Sequence, residues 1–459
     1  EDTQRTKGGG NSYDYATGWS FSPEEMMTFF VPNYFGFGKL EYSGPETRGQ
    51  DVKIMTYWGQ KAFEDEASYM GIAVLIFAII GVVLYRRNPF VLFLTVLSVF
   101  ALIMSFGKNF SILYDLFYYY APMFNKFRVP SMILLLVQFS VPILAGYGLT
   151  GMMKWRNELP EKGKKILNGT LGFSIAFLII GFLFSAIFKD TYISAVASSD
   201  TGSRLPASIH EFIYESMISD WYATAVILIL SVLAVYLYVK KKINFTVFVV
   251  SLGLLLIIDM WRVSYRPMEV AEEPLKQQEF QASDVVRFLK QDKSNYRVAN
   301  FAIQSQNKMA YHLIQNVGGY SSAKLRIYQD MLDVADRAST SVVTNPFLWN
   351  LLNVKYVIAK QQMQSGMQAV YQSKRSGQIV YRNPYMLPRT FFVDSLQVDE
   401  GIEILKKMKD GKFNPMRVAF IEETIDEKIE KPDTTAYSEM VEFDNEYIKI
   451  NANASGNNF

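Results

Sequence analysis

The sequence predicts a polytopic α-helical membrane protein with six spans, followed by an extracytoplasmic α/β domain and the start of a β-rich module. Apolar stretches recur between residues 70 and 264, and the one at 129–152 carries no charge over a length that crosses about 30 Å of hydrocarbon. From residue 265 onward, shorter alternating segments replace them. Half of the residues are hydrophobic, yet mean hydropathy is only +0.07, as expected for a membrane part joined to a soluble part.

Composition and charge exclude several kinds of protein. A net charge of +2 over 459 residues is too small for a nucleic-acid binder. The absence of cysteine excludes disulfides, thiolate metal sites and cysteine nucleophiles. The two histidines, His210 and His312, form no zinc motif, and we expect both to be surface or packing residues. Both ends of the chain read as cut, so we expect a fragment without its N-terminal spans and the end of its C-terminal domain.

Residues 1–69 are predicted to form an extracytoplasmic loop that contains one short helix. Ser22 is placed to cap this helix, and Glu25 stands where a capping box requires an acidic or amide side chain. Tyr57 and Trp58 come shortly before the first span, where such residues are typical of the membrane interface.

Residues 70–264 are predicted to form the transmembrane bundle. Pro142 in its third span should loosen the helix, whereas Gly146, Gly148 and Gly151 should let neighbouring helices approach closely. The six predicted spans are residues 70–85, 89–106, 129–152, 166–188, 222–239 and 245–261.

The distribution of basic residues predicts the orientation of the bundle, because cytoplasmic loops carry an excess of Lys and Arg. Loops on one side carry Arg86, Arg87, Lys154, Arg156, Lys162, Lys164, Lys165, Lys240, Lys241 and Lys242. Short loops on the other side carry Lys108, Lys126, Arg128, Lys189 and Arg204. The first set is therefore predicted to be cytoplasmic. Residues 1–69 and the chain after about residue 264 should lie outside the cytoplasm.

Two outer loops need separate interpretation. Around residues 109–122, Phe110, Leu113 and Phe117 recur at helical spacing with charged residues between, which predicts an amphipathic helix lying in the outer interface. The loop at 189–221 is polar and rich in Ser and Ala, and a connector is favoured over a lid.

The remainder is predicted as an α/β domain at 265–432 and a truncated β-rich module at 433–459. Ser283 should cap a helix at 284–291, and two strands should pair about Asn445 within 438–451. Further helices are predicted at 308–315, 326–335, 346–352 and 400–409, with strands at 296–301, 354–359, 369–371, 379–381, 389–393 and 417–421.

The candidate chemistry follows from the outer location. The sequence has no nucleotide-binding loop and no GxSxG elbow. An activated substrate would therefore have to come from the bilayer on a lipid phosphate, which cationic side chains at the outer interface could hold. Arg128 and Lys126 supply that charge, and the forked guanidinium of Arg128 suits phosphate. The alternative is that both residues are interfacial anchors.

Carboxylates on the same side are the other candidates. Asp259 lies within the last span, where an acid is a functional candidate, although it is close enough to the interface to reach water. Glu24 is a second candidate, and either it or Glu25 could serve only to cap the short helix. No set of metal ligands is predicted. The candidate cavity-lining residues are Tyr57, Trp58, Gln60, Glu24 and Asp259.

A series of short motifs in a shared order resembles the YfhO-type family of large bacterial membrane proteins, within the GT-C class of polyprenyl-phosphate-dependent glycosyltransferases. The matching segments are Ser22-Pro-Glu-Glu25, Val31-Pro32 with Gly36, Tyr57-Trp58-Gly59, Tyr69-Met-Gly71, Phe127-Arg128-Val-Pro130, Ala145-Gly-Tyr-Gly148, Tyr296-Arg-Val298, Gly318-Gly-Tyr320, Leu351-Leu-Asn-Val-Lys-Tyr356 and Leu387-Pro-Arg389.

The resemblance implies transfer of a sugar from a lipid-phosphate donor to a cell-envelope acceptor on the outer face. It also implies an acidic catalytic residue in a first outer loop, for which this chain has no matching position, so the catalytic residue is expected upstream and the fragment alone is expected to be inactive. A divalent metal that steadies the leaving phosphate is an open option. Two alternatives stay open: a transporter or flippase of envelope precursors, and a non-catalytic membrane scaffold.

Overall fold

The computed structural model describes residues 11–61, 67–268, 280–302, 307–321, 325–336, 342–363, 366–444 and 446–459. The chain divides into two compact units, residues 9–270 and residues 1–8 with 271–459. We call residues 9–270 the helical unit and residues 271–459 the α/β unit, and each is described by itself.

The helical unit consists of long apolar helices and a folded N-terminal segment. Its helices are α1 (Tyr13–Thr17), α2 (Ile72–Tyr85), α3 (Pro89–Ser105), α4 (Ser111–Tyr120), α5 (Leu134–Lys154), α6 (Glu161–Ile187), α7 (Lys189–Ser198), α8 (Ala207–Val239) and α9 (Phe245–Ser264). The strands β1 (Leu40–Tyr42) and β2 (Val52–Ile54) form an antiparallel pair.

Four helices of the described chain are long and apolar enough to cross a membrane: Pro130–Lys154, Glu161–Ile187, Ala207–Val239 and Phe245–Ser264. The six predicted spans are therefore confirmed only in part. Helix α2 has 14 residues, which at about 1.5 Å per residue reach about 21 Å, short of the hydrocarbon thickness. Helix α3 turns by 108° into the segment Gly107–Tyr120, and this bent pair is either one broken span or a re-entrant loop.

Two parts of the predicted bundle differ in detail. A helix does form within 109–122, as α4, and it leaves Ile112 and Leu116 exposed, while its position in the interface stays a prediction. The loop predicted at 189–221 contains helix over most of its length, because α7 occupies Lys189–Ser198 and α8 begins at Ala207 rather than near residue 222. Polar residues lower the mean hydropathy of this extension, so hydropathy alone does not predict it as helix. One of them, Asp220, accepts a hydrogen bond from Arg266.

Helices α2 and α5 touch backbone to backbone through glycine. A Cβ atom on Gly81 would lie 2.1 Å from the Leu144 carbonyl oxygen, and one on Gly148 would lie 1.9 Å from the Phe77 carbonyl oxygen. Gly148 therefore permits the predicted close approach, whereas Gly146 has nothing within 4 Å of an added Cβ. The same core extends into the N-terminal segment through Phe21 and other aromatic residues.

The capping box predicted near residue 22 is present. The Ser22 hydroxyl accepts from the Glu25 backbone N–H at 3.1 Å, and the Glu25 carboxylate accepts from the Ser22 N–H at 2.8 Å. The helix that follows, Glu24–Phe29, is a 3-10 helix. Strictly local chemistry thus produces the predicted turn.

The α/β unit is built on a mixed five-stranded sheet. Its strand order is β4 (Gln315–Asn316), β3 (Arg297–Asn300), β5 (Val354–Ala359), β7 (Ile379–Arg382) and β6 (Gln368–Gln372), with β3 parallel to β4 and β5. The helices around it are α10 (Asp284–Leu289), α11 (Lys308–Tyr311), α12 (Arg326–Ala335), α13 (Pro346–Leu351) and α14 (Gly401–Asp410). The predicted cap is confirmed, because the Ser283 hydroxyl accepts from the Val286 N–H at 3.1 Å.

Two small sheets complete the unit. Strand β8 (Ser395–Val398) is parallel to β9 (Val418–Ile421), and β10 (Tyr437–Phe443) forms an antiparallel pair with β11 (Ile448–Asn453). The predicted strand at 389–393 is wrong, because the segment that pairs with β9 begins at Ser395. The two C-terminal strands pair as predicted, while Asn445, predicted at their turn, lies outside the described residues.

Candidate functional site

Asp259 is buried at one end of the helical unit and is fully engaged by donors. Its carboxylate accepts from the Tyr69 hydroxyl at 2.7 and 2.9 Å and from the Ile72 backbone N–H at 3.3 Å. Arg262, one turn further along α9, donates to it at 3.1 Å. The carboxylate therefore ties the start of α2 to α9, a role that its sequence position alone did not predict.

Asp220 on α8 extends these contacts into a wider network. It accepts from the guanidinium groups of both Arg262 and Arg266, and the second contact measures 2.7 Å from Arg266 Nη1 to Asp220 Oδ2. The Asp220 and Asp259 side chains are 5% and 2% exposed, so these charges lie largely out of water. We call Tyr69, Asp220, Asp259, Arg262 and Arg266 the charge network; it carries two acids and two arginines.

Three members of the charge network were missed by the sequence analysis. Asp220 fell in a predicted loop, and the two arginines lay at or beyond the predicted end of the last span. The signal that could have found one pair is the spacing of Asp259 and Arg262, since residues three apart on a helix face each other.

A second buried cluster joins the N-terminal segment to the residues before α2. The Tyr57 hydroxyl donates to Glu25 Oε1 at 2.5 Å and accepts from the Lys61 backbone N–H at 3.1 Å. The Lys61 ammonium lies 3.7 Å from the same carboxylate oxygen. The predicted candidate Tyr57 therefore lies in a hydrogen-bonded core, and Glu25 both caps the short helix and accepts from Tyr57.

The neighbouring candidates have separate surroundings. The Trp58 indole N–H donates to the Tyr192 hydroxyl at 3.3 Å, which connects it to α7. Gln60 donates to the Ser20 carbonyl oxygen at 2.9 Å. Glu24 is exposed at the start of the 3-10 helix, so the carboxylate that enters the interior there is that of Glu25. The structure thus brings Tyr57 together with Glu25, and leaves Glu24 at the surface.

Arg128 lies against aromatic rings just before α5. Its guanidinium carbon is 5.3 Å from the Tyr15 ring centroid and 5.5 Å from that of Trp19, and one nitrogen donates to the Tyr15 hydroxyl. Such cation–π contacts hold a guanidinium in place. Lys126 is half-buried two residues earlier, and its carbonyl oxygen accepts from the Asn11 side chain at 3.0 Å.

Tyr13 of α1 forms an aromatic cluster with tyrosines of α4. The Tyr13 hydroxyl donates to Asp115 on α4 at 2.7 Å, and the Tyr13 ring packs edge-on against Tyr118. Burial and the hydrogen bond to Asp115 raise the pKa of the Tyr13 phenol well above its ordinary value. Tyr13 therefore stays a protonated donor at neutral pH, and it connects α1 to α4 beside the segment that carries Arg128.

An apolar groove of about 440 Å³ runs between α2, α5, α8 and α9. Phe245 lines it at the start of α9 and Asp259 lines it near the end of the same helix, so the groove extends along most of α9. Gly146 and Gly253 also line it. Glycine at these positions keeps the groove open because no side chain fills it.

A more polar pocket of about 310 Å³ adjoins the groove. Tyr69, Gln138 and Ser264 line this pocket, and Pro142 lines both the pocket and the groove. We call it the mouth pocket. Phe37 also lines the mouth pocket, and the guanidinium carbon of Arg266 lies 5.1 Å from the centroid of the Phe37 ring. The charge network therefore borders the polar end of an otherwise apolar groove.

The structure joins some predicted residues and separates others. Asp259 belongs to the groove and the charge network, whereas Arg128 contacts Tyr15 and Trp19 of the N-terminal segment. Arg128 and Gln60 are linked indirectly, because Trp19 and Ser20 are consecutive residues. Within the described residues, no group of three or more His, Asp or Glu side chains is arranged to hold a metal ion.

Comparison with protein-family models, with curated proteins and with solved structures gives no match to this chain. The resemblance to the YfhO-type family consequently stays a prediction from sequence motifs. What the structure adds is independent of it: apolar helices suited to a bilayer, and a groove with a polar end.

Proposed function

We propose that the protein is a membrane glycosyltransferase that moves a sugar from a polyprenyl-phosphate donor to a cell-envelope glycopolymer or lipid on the outer face of a bacterial membrane. The groove is the observation that carries this proposal. A polyprenyl donor has a long apolar chain and a polar phosphate-sugar head, and a groove lined by Phe245 and Leu252 that ends beside Asp259 and Tyr69 has the same polarity.

The shape of the groove favours such a ligand. An isoprenoid that enters from the bilayer exchanges lipid tails for the groove lining, so its attraction comes from van der Waals packing along α9 and not from removal from water. The head group would then lie at the mouth pocket, where Gln138 and Tyr69 offer polar atoms. Arg128 and Lys126 are proposed to hold the donor phosphate, since Arg128 immediately precedes the segment that leads into α5.

The charge network is proposed to position groups rather than to transfer protons. Asp259 already accepts from Tyr69, Ile72 and Arg262, which leaves it poorly placed to accept a proton from an acceptor hydroxyl. The catalytic base is accordingly not assigned to Asp259.

One observation favours a transporter as the second candidate. The 108° bend between α3 and the segment Gly107–Tyr120 resembles the broken helices that line transport sites. Radiolabelled sugar transfer from a polyprenyl-phosphate donor, measured with the complete native protein in proteoliposomes, separates the candidates. We expect labelled acceptor; movement of the donor across the bilayer without transfer would instead indicate a transporter, and neither result would indicate a scaffold.

A glycine substitution tests the groove itself. In Gly253→Phe, the new ring should enter the groove, because a Cβ at this position has nothing within 4 Å. The ring would occupy the space of the donor's apolar chain, so that chain would lose van der Waals contacts with the groove lining. We expect donor binding, measured with a fluorescent polyprenyl phosphate, to weaken in this variant.

The matched control is Gly172→Phe on α6. Gly172 is also a helical glycine with nothing within 4 Å of an added Cβ. It is exposed and does not line the groove. Donor binding should be the same in this variant as in the native protein. Equal binding by both variants would show that the groove does not hold the donor chain.

A further inference from the structure

Two arginines of the α/β unit converge on one side of its sheet. Arg389, in the segment after β7, donates from Nε to Asn353 Oδ1 at 2.8 Å and from Nη2 to Gln315 Oε1. Arg297 on β3 donates from Nη1 to the carbonyl oxygen of Leu352 at 3.2 Å, and Arg297 is the register partner of Gln315 across the parallel strands. The two guanidinium groups therefore bond to consecutive residues, Leu352 and Asn353, and Arg389 also bonds to the register partner of Arg297.

The charges of this pair are not balanced by an acid. The acceptors that hold the two side chains are amide and carbonyl oxygens, and among the described residues neither arginine forms an ion pair with a carboxylate. Each guanidinium has five N–H donors, and to partners within the described residues Arg389 uses two of them while Arg297 uses one. Most donors of the pair are thus available to an additional partner.

The electrostatics of the pair are unfavourable without such a partner. Burial, together with the charge of Arg297, lowers the pKa of Arg389 to about 10. Burial also lowers the pKa of Arg297. Both side chains remain cationic at neutral pH, so two like charges are held close together in a half-buried place. An anion bound between them would relieve that repulsion.

The surroundings shape this place further. The Phe443 ring of β10 lies 5.8 Å from the Arg389 guanidinium carbon and covers one side of it. Gln315 also lines a polar pocket of about 370 Å³ at the edge of the sheet, together with Lys290, Lys293 and Asp292, and Asp292 is paired with Lys355. A ligand larger than a bare anion could therefore extend from the arginine pair past Gln315 toward Lys290 and Lys293.

We propose that Arg297 and Arg389 form a binding site for an oxyanion group, a phosphate or a carboxylate, carried by a sugar-sized ligand. Planar guanidinium forks match the paired oxygens that both groups present. Asn353 and Gln315 hold the fork of Arg389 in position. The inference concerns binding by the α/β unit and does not depend on glycosyl transfer by the helical unit.

Isothermal titration of the full chain in detergent micelles tests the site with glycerol 3-phosphate and with glucuronate; glycerol serves as the uncharged control. We expect saturable binding of at least one anion and none of glycerol. The anion that binds more tightly identifies the source of the charge as phosphate or carboxylate. Removing a hydrogen bond to a charged group costs about 1.5–3 kcal/mol, so Arg389→Gln should bind about tenfold more weakly or worse.

Arg297→Gln is the second variant, and β3 keeps its backbone pairing with β4 and β5 in it. It too should bind about tenfold more weakly or worse. The control is Arg382→Gln, an exposed arginine at the end of β7, which should bind as the native chain does. Failure of both anions to bind, or equal binding by all three variants and the native chain, would overturn the proposal.

Discussion

Asp220→Ala is expected to destabilise the helical unit by about 3–5 kcal/mol, because it leaves two arginines in a largely buried place with only one acid. Arg262 would keep Asp259, whereas Arg266 would lose both of its contacts with Asp220. Breaking a buried ion pair from one side costs more than the pair contributes, since the remaining charge stays desolvated. Thermal unfolding of the purified protein in detergent or nanodiscs, followed by circular dichroism, measures the effect.

Two companion variants make this result specific. Asp200→Ala removes an exposed carboxylate from the same unit and should leave the unfolding temperature unchanged. The double variant Asp220→Ala with Arg266→Ala removes one charge of each sign and should be more stable than Asp220→Ala alone. If the single and double variants unfold at the same temperature, the charge imbalance is not the cause of the destabilisation.

Arg128→Ala is expected to weaken use of the lipid-linked donor by about tenfold or more, while Arg87→Ala leaves it unchanged. The size follows from the loss of charge-assisted hydrogen bonds to a phosphate, about 1.5–3 kcal/mol. Arg128 precedes α5 at the end where Gln138 lines the mouth pocket. Arg87 follows α2 at the opposite end, where the Lys154 ammonium donates to Tyr85.

The measurement is the KM for donor in the sugar-transfer assay with the complete native protein. It also separates the two readings of Arg128. If Arg128 only anchors the chain through its contacts with Tyr15 and Trp19, the alanine variant should unfold at a lower temperature but retain the native KM. Equal donor use by the Arg128 and Arg87 variants would refute the phosphate assignment.

Local features of this chain could be predicted well because their causes are local. The Ser22 and Glu25 capping box forms from residues three apart, and the helix Arg326–Ala335 and the strand Val354–Ala359 have the predicted ends. The long apolar helices follow from hydropathy in the same way. Four of the six predicted spans correspond to helices that are long and apolar enough to cross a membrane, while the other two correspond to α2, which has 14 residues, and to α3, after which the chain bends by 108°.

The candidate sites depended on contacts that span the chain. Asp220 and Arg266 lie 46 positions apart, and Asp259 and Tyr69 lie 190 apart, so no sequence window contains either pair. Asp220 read as a loop residue because a charge lowers the hydropathy of its window, although its pairing with two arginines lets α8 continue through it. The strand at Ser395–Val398 was misplaced for a similar reason, since its partner Val418–Ile421 selects it.

By itself, the sequence determined that this protein has apolar helices of membrane-spanning length, a following α/β unit, and Arg128 and Asp259 as charged residues beside or within apolar stretches. Only the tertiary structure decided what those charges do. Folding placed Asp259 in a network with Asp220 and Arg262, at the polar end of a groove, and placed Arg128 on Tyr15 and Trp19. The physical reason is that a buried charge requires a partner of opposite charge or a hydrogen-bonding partner. The packing of helices that are distant in sequence decides which residue becomes that partner.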